Sequence, residues 1–123
     1  MITIVLPWID SALLPNRADG RNWHTTSAAK KAAREAGYYA ALQAVFGVQE
    51  LDPNEDHALS IVYHPAHNPG PDWDNFSRAM KPTIDGIAKA LKIDDRHFNP
   101  VEVRRGAKVD GGRVTVIIDD YPF

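Results

Sequence analysis

The segment PDWDNFSRAMKPTIDGIAKALKIDD, Pro71 to Asp95, contains the pattern that decides the fold. When residues 74–92 are placed on a helix at about 100° per residue, five apolar side chains fall within an arc about 80° wide. An arc of this kind is typical of a helix that packs one side against a hydrophobic core. The segment therefore predicts a helix over residues 75–91. Its core stripe is Phe76, Met80, Ile84, Ile87 and Leu91.

Charged side chains occupy the opposite side of this helix. They recur every three or four residues, which brings neighbours along the row close together, and such a row is most often a solvated surface. Pro82 is expected to bend the helix, because it removes the hydrogen bond to the carbonyl of residue 78. The bend could direct Arg78 and Lys81 towards a partner. The row is Asp74, Arg78, Lys81, Asp85, Lys89 and Lys92.

The rest of the chain predicts four strands and one further helix, and therefore a single α+β domain over residues 1–123. About four strands would form a mixed or antiparallel sheet packed by two main helices. The predicted strands are 2–6, 58–64, 101–109 and 113–118, and the first helix runs from Thr25 to Gly47. Because Asp110-Gly111-Gly112 separates the last two strands, they are predicted to form a hairpin.

Two of these elements have predicted core faces. In strand 58–64 the alternation places Leu59, Ile61 and Tyr63 on one face. In the first helix Gly37 costs roughly 1 kcal/mol of helix stability relative to alanine. The side of that helix expected to be buried consists of Ala29, Ala32, Ala33, Ala36, Ala40, Leu42, Val45 and Phe46.

Composition restricts the class of protein. The absence of cysteine excludes disulfides and thiolate zinc sites. No apolar run approaches the roughly 20 residues needed to span a bilayer. The start of the chain, MITIVLPW, has neither the basic beginning nor the cleavage site of a secretory signal, so a cytoplasmic location is expected.

The net charge of -2 conceals an uneven distribution. All 14 Lys and Arg residues lie in two blocks, 17–34 and 78–113, and each block has a net charge of +4. Residues 35–77 contain seven Asp and Glu residues and no Lys or Arg. A nearly neutral protein can present a positive face to a polyanion, because steering depends on where the charges lie. Solubilising surface charge is the simpler interpretation.

Acids cluster at both ends of the opening segment. Pro71 favours an extended backbone, in which Asp72 and Asp74 point the same way and can share a cation. Asp94 and Asp95 follow the helix, which has no glycine stop. Clustered carboxylates repel one another unless a positive group lies between them. Oxygen ligands favour Mg²⁺, or Mn²⁺, and a metal ion with a nearby Lys or Arg suits phosphodiester hydrolysis.

These motifs resemble the RusA family of Holliday junction resolvases, small endodeoxyribonucleases of bacteriophages and prophages. The distinctive part is Asp-x-Asp-Asn, a helix with a lysine, an Asp-Gly step and a closing Asp-Asp, all between Asp72 and Asp95. The opening LPW, PNR and Trp-His motifs and the strand pair VEVRRGAKVDGGRVTVII extend the resemblance over most of the chain.

The resemblance implies a role for each matching residue. Asp72, Asp74 and Asp95 would be metal ligands and catalytic acids, with Asp94 able to support or replace Asp95. Lys81 would stabilise the transition state at the scissile phosphate. Arg78 is its rival, because the family's shorter members place the lysine four residues after the second aspartate. Asn75 would cap the helix or orient a ligand, and Asp85 would assist from outside the ligand set. The family acts as a homodimer that cuts two opposed strands of a four-way junction.

Basic residues beyond this segment are candidates for DNA contacts. Trp23 could stack on a splayed base, and the neighbouring cations could bind phosphates; alternatively, this is a packed tryptophan beside a solvated helix. Charges on the strand pair could form a second phosphate-binding edge or could prevent aggregation. Trp73 is expected to point into the core or a dimer interface. The candidates are Arg17, Arg21, Trp23, Lys30, Lys31, Arg34, Arg104, Arg105 and Lys108.

Three alternatives remain beside the nuclease hypothesis. A DNA-binding or assembly protein could keep the fold without catalysis. A metal-dependent nucleotide hydrolase could use the same acids, but it would not need two basic blocks. A zinc site at His64 and His67 is disfavoured, because Pro65 interrupts their spacing and loop histidines usually face solvent.

Overall fold

The computed structural model describes residues 1–14, 23–45 and 51–120, excluding the side chains of residues 23–25 and 120. It contains four strands and three helices, which confirms the predicted α+β class. The elements are β1 (Ile2–Leu6), α1 (Trp23–Ala44), β2 (His57–His64), α2 (Trp73–Ala79), α3 (Lys81–Leu91), β3 (Phe98–Arg105) and β4 (Arg113–Asp120). Single 3-10 turns span Ser11–Leu13 and Asp95–His97.

The four strands form one mixed sheet in the order β1-β4-β2-β3. β4 is antiparallel to both β1 and β2, whereas β3 runs parallel to β2. A parallel pair needs a long crossover, and the segment containing α2 and α3 provides it. The candidate site therefore lies within the crossover connection.

The predicted hairpin of the last two strands is wrong, because β2 lies between β3 and β4. β3 ends with Arg105 beside Tyr63, and β4 begins with Arg113 opposite His64. The turn at residues 110–112 therefore carries the chain across the end of β2. The Asp-Gly-Gly sequence indicated a reversal correctly, but it carries no information about a strand inserted from elsewhere in the chain.

The core lies between the helices and one face of the sheet. Inward side chains of β1, β2 and β4 are buried, including the predicted Leu59, Ile61 and Tyr63. The stripe on the second helical segment is confirmed in full, since Phe76, Met80, Ile84, Ile87 and Leu91 are all buried. The opposite face of the sheet is more open, and Val5 on it is 61% exposed.

α1 crosses α3 with the two backbones in direct contact. A Cβ atom at Gly37 would overlap the carbonyl oxygen of Thr83, and one at Gly86 would overlap the carbonyl oxygen of Arg34. Gly37 therefore has a packing function that offsets its low helix propensity. The two glycines hold α1 and α3 close together.

This crossing also explains why the predicted buried side of α1 is only partly correct. Ala29 and Ala41 are buried, whereas Ala32, Ala36 and Leu42 are exposed, and Phe46 lies outside the described residues. Alanine occurs readily on either side of a helix, so an alanine-rich sequence gives a weak periodic signal. The position of the glycine marks the contact better.

Pro82 divides the predicted second helix into two. α2 ends at Ala79, Met80 joins the two helices, and Pro82 lies in the first turn of α3, where its missing N–H has no helical partner to lose. α3 ends at Leu91, and the next residue, Lys92, caps it with a left-handed backbone at φ 60°. A lysine thus occupies the place usually taken by glycine.

Among the described residues, no helix combines the length and the apolar character required to cross a membrane.

Candidate functional site

Asp72 begins the site by capping α2. Its Oδ1 accepts a hydrogen bond from the Asn75 backbone N–H at 2.9 Å, which satisfies one of the unpaired donors at a helix start. The preceding residue is fixed as well, because the Tyr63 hydroxyl donates to the Pro71 carbonyl oxygen at 2.9 Å. Phe76 stacks on Tyr63 with ring centroids 4.1 Å apart. Asp72 is therefore exposed at a firmly anchored position.

Asp74 lies in the first turn of α2 and pairs with Arg78. Their closest oxygen and nitrogen atoms are 3.3 Å apart, and both side chains are largely exposed. Trp73 between the two acids is 64% exposed, so the expectation that it enters the core is wrong. Whether a second copy of the chain covers it stays a prediction.

Lys81 joins two acids at the beginning of α3. Its Nζ donates to Asp85 Oδ1 at 2.8 Å and also to Asp95 Oδ2, although Lys81 and Asp95 are 14 residues apart in sequence. The hydrogen bonds to Asp85 and then Asp95 raise the pKa of Lys81. The hydrogen bond from Lys81 lowers the pKa of Asp95. One ammonium group thus bridges two carboxylates.

The turn after α3 directs Asp95 back towards Lys81. The left-handed Lys92 reverses the chain, and the Ile93 N–H donates to the Ala88 carbonyl oxygen at 3.1 Å. Asp94 then caps the Asp95–His97 turn by accepting from the Arg96 N–H at 3.0 Å. The two neighbouring aspartates therefore have different partners in this structure.

Asp56, which no sequence pattern indicated, supports the same turn from the other side. Its two carboxylate oxygens bind His97 Nδ1 at 2.9 Å and Asn99 Nδ2 at 3.2 Å. The hydrogen bond from His97 lowers the pKa of Asp56. Asp56 precedes β2, 41 residues from His97 in sequence, so helical spacing could not indicate this contact.

The carboxylates fit a divalent ion in part. Asp85 and Asp95 are aimed at one cation position, now taken by the Lys81 ammonium, and Mg²⁺ usually binds one or two carboxylates plus waters. Within residues 1–14, 23–45 and 51–120, however, no three His, Asp or Glu side chains are grouped to hold one ion. That Asp72, Asp74, Asp94 and Asp95 act together as ligands stays a prediction.

The candidate DNA-contacting residues divide into two regions. Lys30, Lys31 and Arg34 are exposed on α1. Arg104 and Lys108 are exposed at and beyond β3, where Arg104 lies 3.7 Å from Glu102. Arg105 donates to the Pro69 carbonyl oxygen at 2.8 Å and so supports the loop before Asp72. Arg17, Arg21 and the side chain of Trp23 lie outside the described part of the chain.

The fold and site define a small α+β domain with acidic and basic side chains on one crossover connection. No family model matches the chain. Over 114 residues, 89% of this chain and 73% of the relative, it is 36% identical to a protein of Xylella fastidiosa (strain Temecula1) described as "Uncharacterized protein". The chain belongs to the family of that Xylella protein.

Proposed function

We propose that this protein is a Mg²⁺-dependent endonuclease that resolves branched DNA, in the manner of the RusA family that its sequence resembles. The observation that carries the proposal is the bonding of Lys81 to both Asp85 and Asp95. This bonding supports a common site for Lys81, Asp85 and Asp95. The resemblance gives central roles to Lys81 and Asp95. Such a site would act in the cytoplasm, as part of a homodimer with one cutting centre for each opposed strand.

The residues supply the parts that phosphodiester hydrolysis requires. Asp95, with Asp72 and Asp74, would hold Mg²⁺, and Asp85 or Asp94 would support it. Bound Mg²⁺ would lower the pKa of a water molecule and polarise the phosphate. Lys81 would release Asp95 to the ion and place its ammonium against the charge that develops on the phosphate oxygens. The products would carry a 5′-phosphate and a 3′-hydroxyl.

The direct test is incubation of the protein with labelled four-way junctions and with linear duplex of the same sequence. We expect paired cuts in the junction with Mg²⁺, none in EDTA, and little cutting of the duplex. Equal cutting of both substrates would contradict selectivity for branches. Turnover of free nucleotides with no cutting of DNA would favour the nucleotide hydrolase instead.

Asp72→Asn tests the role of the first acid without disturbing the fold. Asparagine is as good a helix cap as aspartate, so α2 should keep its start while the ligand charge is lost. Cleavage should disappear, and junction binding in EDTA should stay equal or become tighter. Asp72→Ser, which also caps a helix, is the matched control for folding. Full cleavage by Asp72→Asn would contradict the proposed role.

A second candidate is a DNA-binding or assembly protein without catalysis. It is favoured by the pairing of Asp74 with Arg78 and of Asp95 with Lys81, because acids neutralised in this way need no divalent ion for stability. Calorimetric titration separates the two candidates. A Mg²⁺ site that Asp95→Asn abolishes would support the nuclease, whereas DNA binding without any ion site would support the alternative.

A further inference from the structure

A groove between α1 and α3 lies beside the candidate site. It has a volume of about 390 Å³, and Gly86 is among the residues that line it. It lies at the crossing where Gly37 and Gly86 allow the backbones of the two helices to approach closely. The groove is lined by Lys31, Arg34, Glu35, Tyr38, Tyr39 and Lys89.

The charge of this groove is positive. Lys31, Arg34 and Lys89 outnumber the single acid, Glu35. Across the part of the chain that the structure describes, none of these three cations forms a salt bridge. Lys31 and Arg34 are three residues apart on one face of α1, so their positive groups are available to the same anionic ligand.

Two tyrosines give the groove an aromatic side. The Tyr38 and Tyr39 rings are nearly perpendicular, with centroids 5.2 Å apart, and Tyr39 is 65% exposed. Lys89 Nζ lies 5.9 Å from the centroid of the Tyr38 ring, within the range of a cation–π contact. An exposed ring held by a second ring, beside unpaired cations, is the combination that binds a base and its phosphates.

Lys89 connects the groove to the acids. It lines the groove and also borders a shallow depression of about 290 Å³ that contains Asp85, Asp94 and Asp95. A strand lying in the groove could therefore pass Lys89 and reach the acids without leaving the surface. Only an unpaired nucleotide could use the aromatic side of the groove, since a base within a duplex cannot stack on a side chain.

We propose that this groove binds a single-stranded segment of DNA, with a base stacked on Tyr39 and phosphates on Lys31, Arg34 and Lys89. The inference rests on the proposed function and identifies the part of the substrate that the groove holds. In a branched DNA that part would be nucleotides that become unpaired at the branch, which the groove would position for Asp95 and Lys81.

The test measures binding of a fluorescent 12-nucleotide DNA strand in EDTA by anisotropy, with no cleavage involved. Tyr39→Ala should weaken binding about tenfold, the size expected for loss of one stacked base, and Tyr39→Phe should bind like the wild type. Lys89→Ala should reduce the slope of log K against log salt by about 0.7, the contribution of one phosphate contact on a single strand.

The matched control is Lys92→Asn, which removes one positive charge from the end of α3, outside the groove. Asparagine tolerates the left-handed backbone at that position, so the fold should be kept. The salt slope of this variant should equal that of the wild type. An equal change in Lys92→Asn and Lys89→Ala would overturn the inference, because general charge would then explain binding.

Further outcomes would also overturn the inference. These are Tyr39→Ala binding within twofold of the wild type, no binding by the wild type, and equal displacement of the strand by a polyglutamate peptide. Tighter binding of an RNA strand of the same sequence would overturn the choice of DNA. If Tyr39→Ala weakens binding but the wild type cuts no junction with Mg²⁺, the groove inference stands and the nuclease proposal fails. If the wild type cuts the junction but Tyr39→Ala binds the strand within twofold of the wild type, the nuclease proposal stands and the groove inference fails.

Discussion

Lys81 and Arg78, the two candidates for the cation at the scissile phosphate, have different surroundings. The Lys81 Nζ bonds to Asp85 and Asp95, whereas the Arg78 guanidinium pairs with Asp74, at 3.3 Å and in an exposed position. Exposed ion pairs contribute about 0–1 kcal/mol to stability, so either residue can be replaced without unfolding the domain. Their contributions to catalysis can therefore be compared directly.

We expect Lys81→Ala to reduce the single-turnover cleavage rate about 100-fold or more, the usual cost of losing one preorganised electrostatic group. Arg78→Ala should reduce the rate less than tenfold. Urea midpoints of both variants provide the control for folding. A large loss in Arg78→Ala with a normal rate in Lys81→Ala would transfer the role to the arginine.

The residues of the site were predictable to different extents. The pairs Asp74–Arg78 and Lys81–Asp85 follow from the spacing of four residues along a helix. The contact of Lys81 with Asp95 does not, because it depends on the left-handed backbone of Lys92. Lysine has no particular preference for that conformation, so nothing local in the sequence indicates the reversal.

The α1–α3 crossing has no space for a side chain at its two glycines. Gly86→Ala should therefore destabilise the protein by roughly 1–3 kcal/mol, the usual cost of overpacking, despite the better helix propensity of alanine. Urea unfolding measures the difference. Gln43→Ala, an exposed change on α1, should have little effect. If Gly86→Ala were as stable as the wild type or more stable, α1 and α3 could move apart to accept the methyl group at no cost, and the prediction would be wrong.

The hydrogen bonds of Asp56 to His97 and Asn99 should stabilise the folded protein to an extent that depends on pH. Because the folded protein lowers the pKa of Asp56 below its ordinary value of 3.8, its ionised form stabilises the fold above that pH. This contribution is lost as the pH falls through the lowered pKa. Asp56→Asn should therefore be less stable than the wild type at pH 7, and the difference should diminish as the pH falls below about 4.

Urea midpoints at pH 7 and at acid pH measure the effect of the Asp56 hydrogen bonds on stability. Glu55→Gln is the neighbouring control, because Glu55 is exposed and its side chain has no bond to the Asp95–His97 turn. It should match the wild type at both pH values. A difference in Asp56→Asn that stays constant with pH would indicate that the ionised carboxylate is not what stabilises the turn.

The sequence predicted the class of fold but not the order of its strands. Alternation in residues 58–64 identified the core face of β2, because periodicity reports which side chains are buried. The order β1-β4-β2-β3 depends on pairing between distant strands, which periodicity does not report. The hairpin prediction failed for this reason, while the helical core stripe succeeded.

β3 forms one edge of the sheet and is protected by charge. Glu102 and Arg104 on this strand have side chains more than 60% exposed, next to Val101, which is also exposed. Charged side chains prevent an edge strand from pairing with another molecule. Replacing both by threonine should produce association beyond the wild-type oligomer, measured by light scattering over a concentration series. The double change Lys31→Gln with Glu35→Gln, on a helix, should not.

The position of β4 also has a consequence for synthesis on the ribosome. β4 is the last of the four strands to be translated, yet it separates β1 from β2 and pairs with both. A nascent polypeptide that ends before residue 113 has no neighbour for β1 among the described strands. The crossover connection between β2 and β3 can therefore pack against the complete four-stranded sheet only after residues 113–120 have been synthesised.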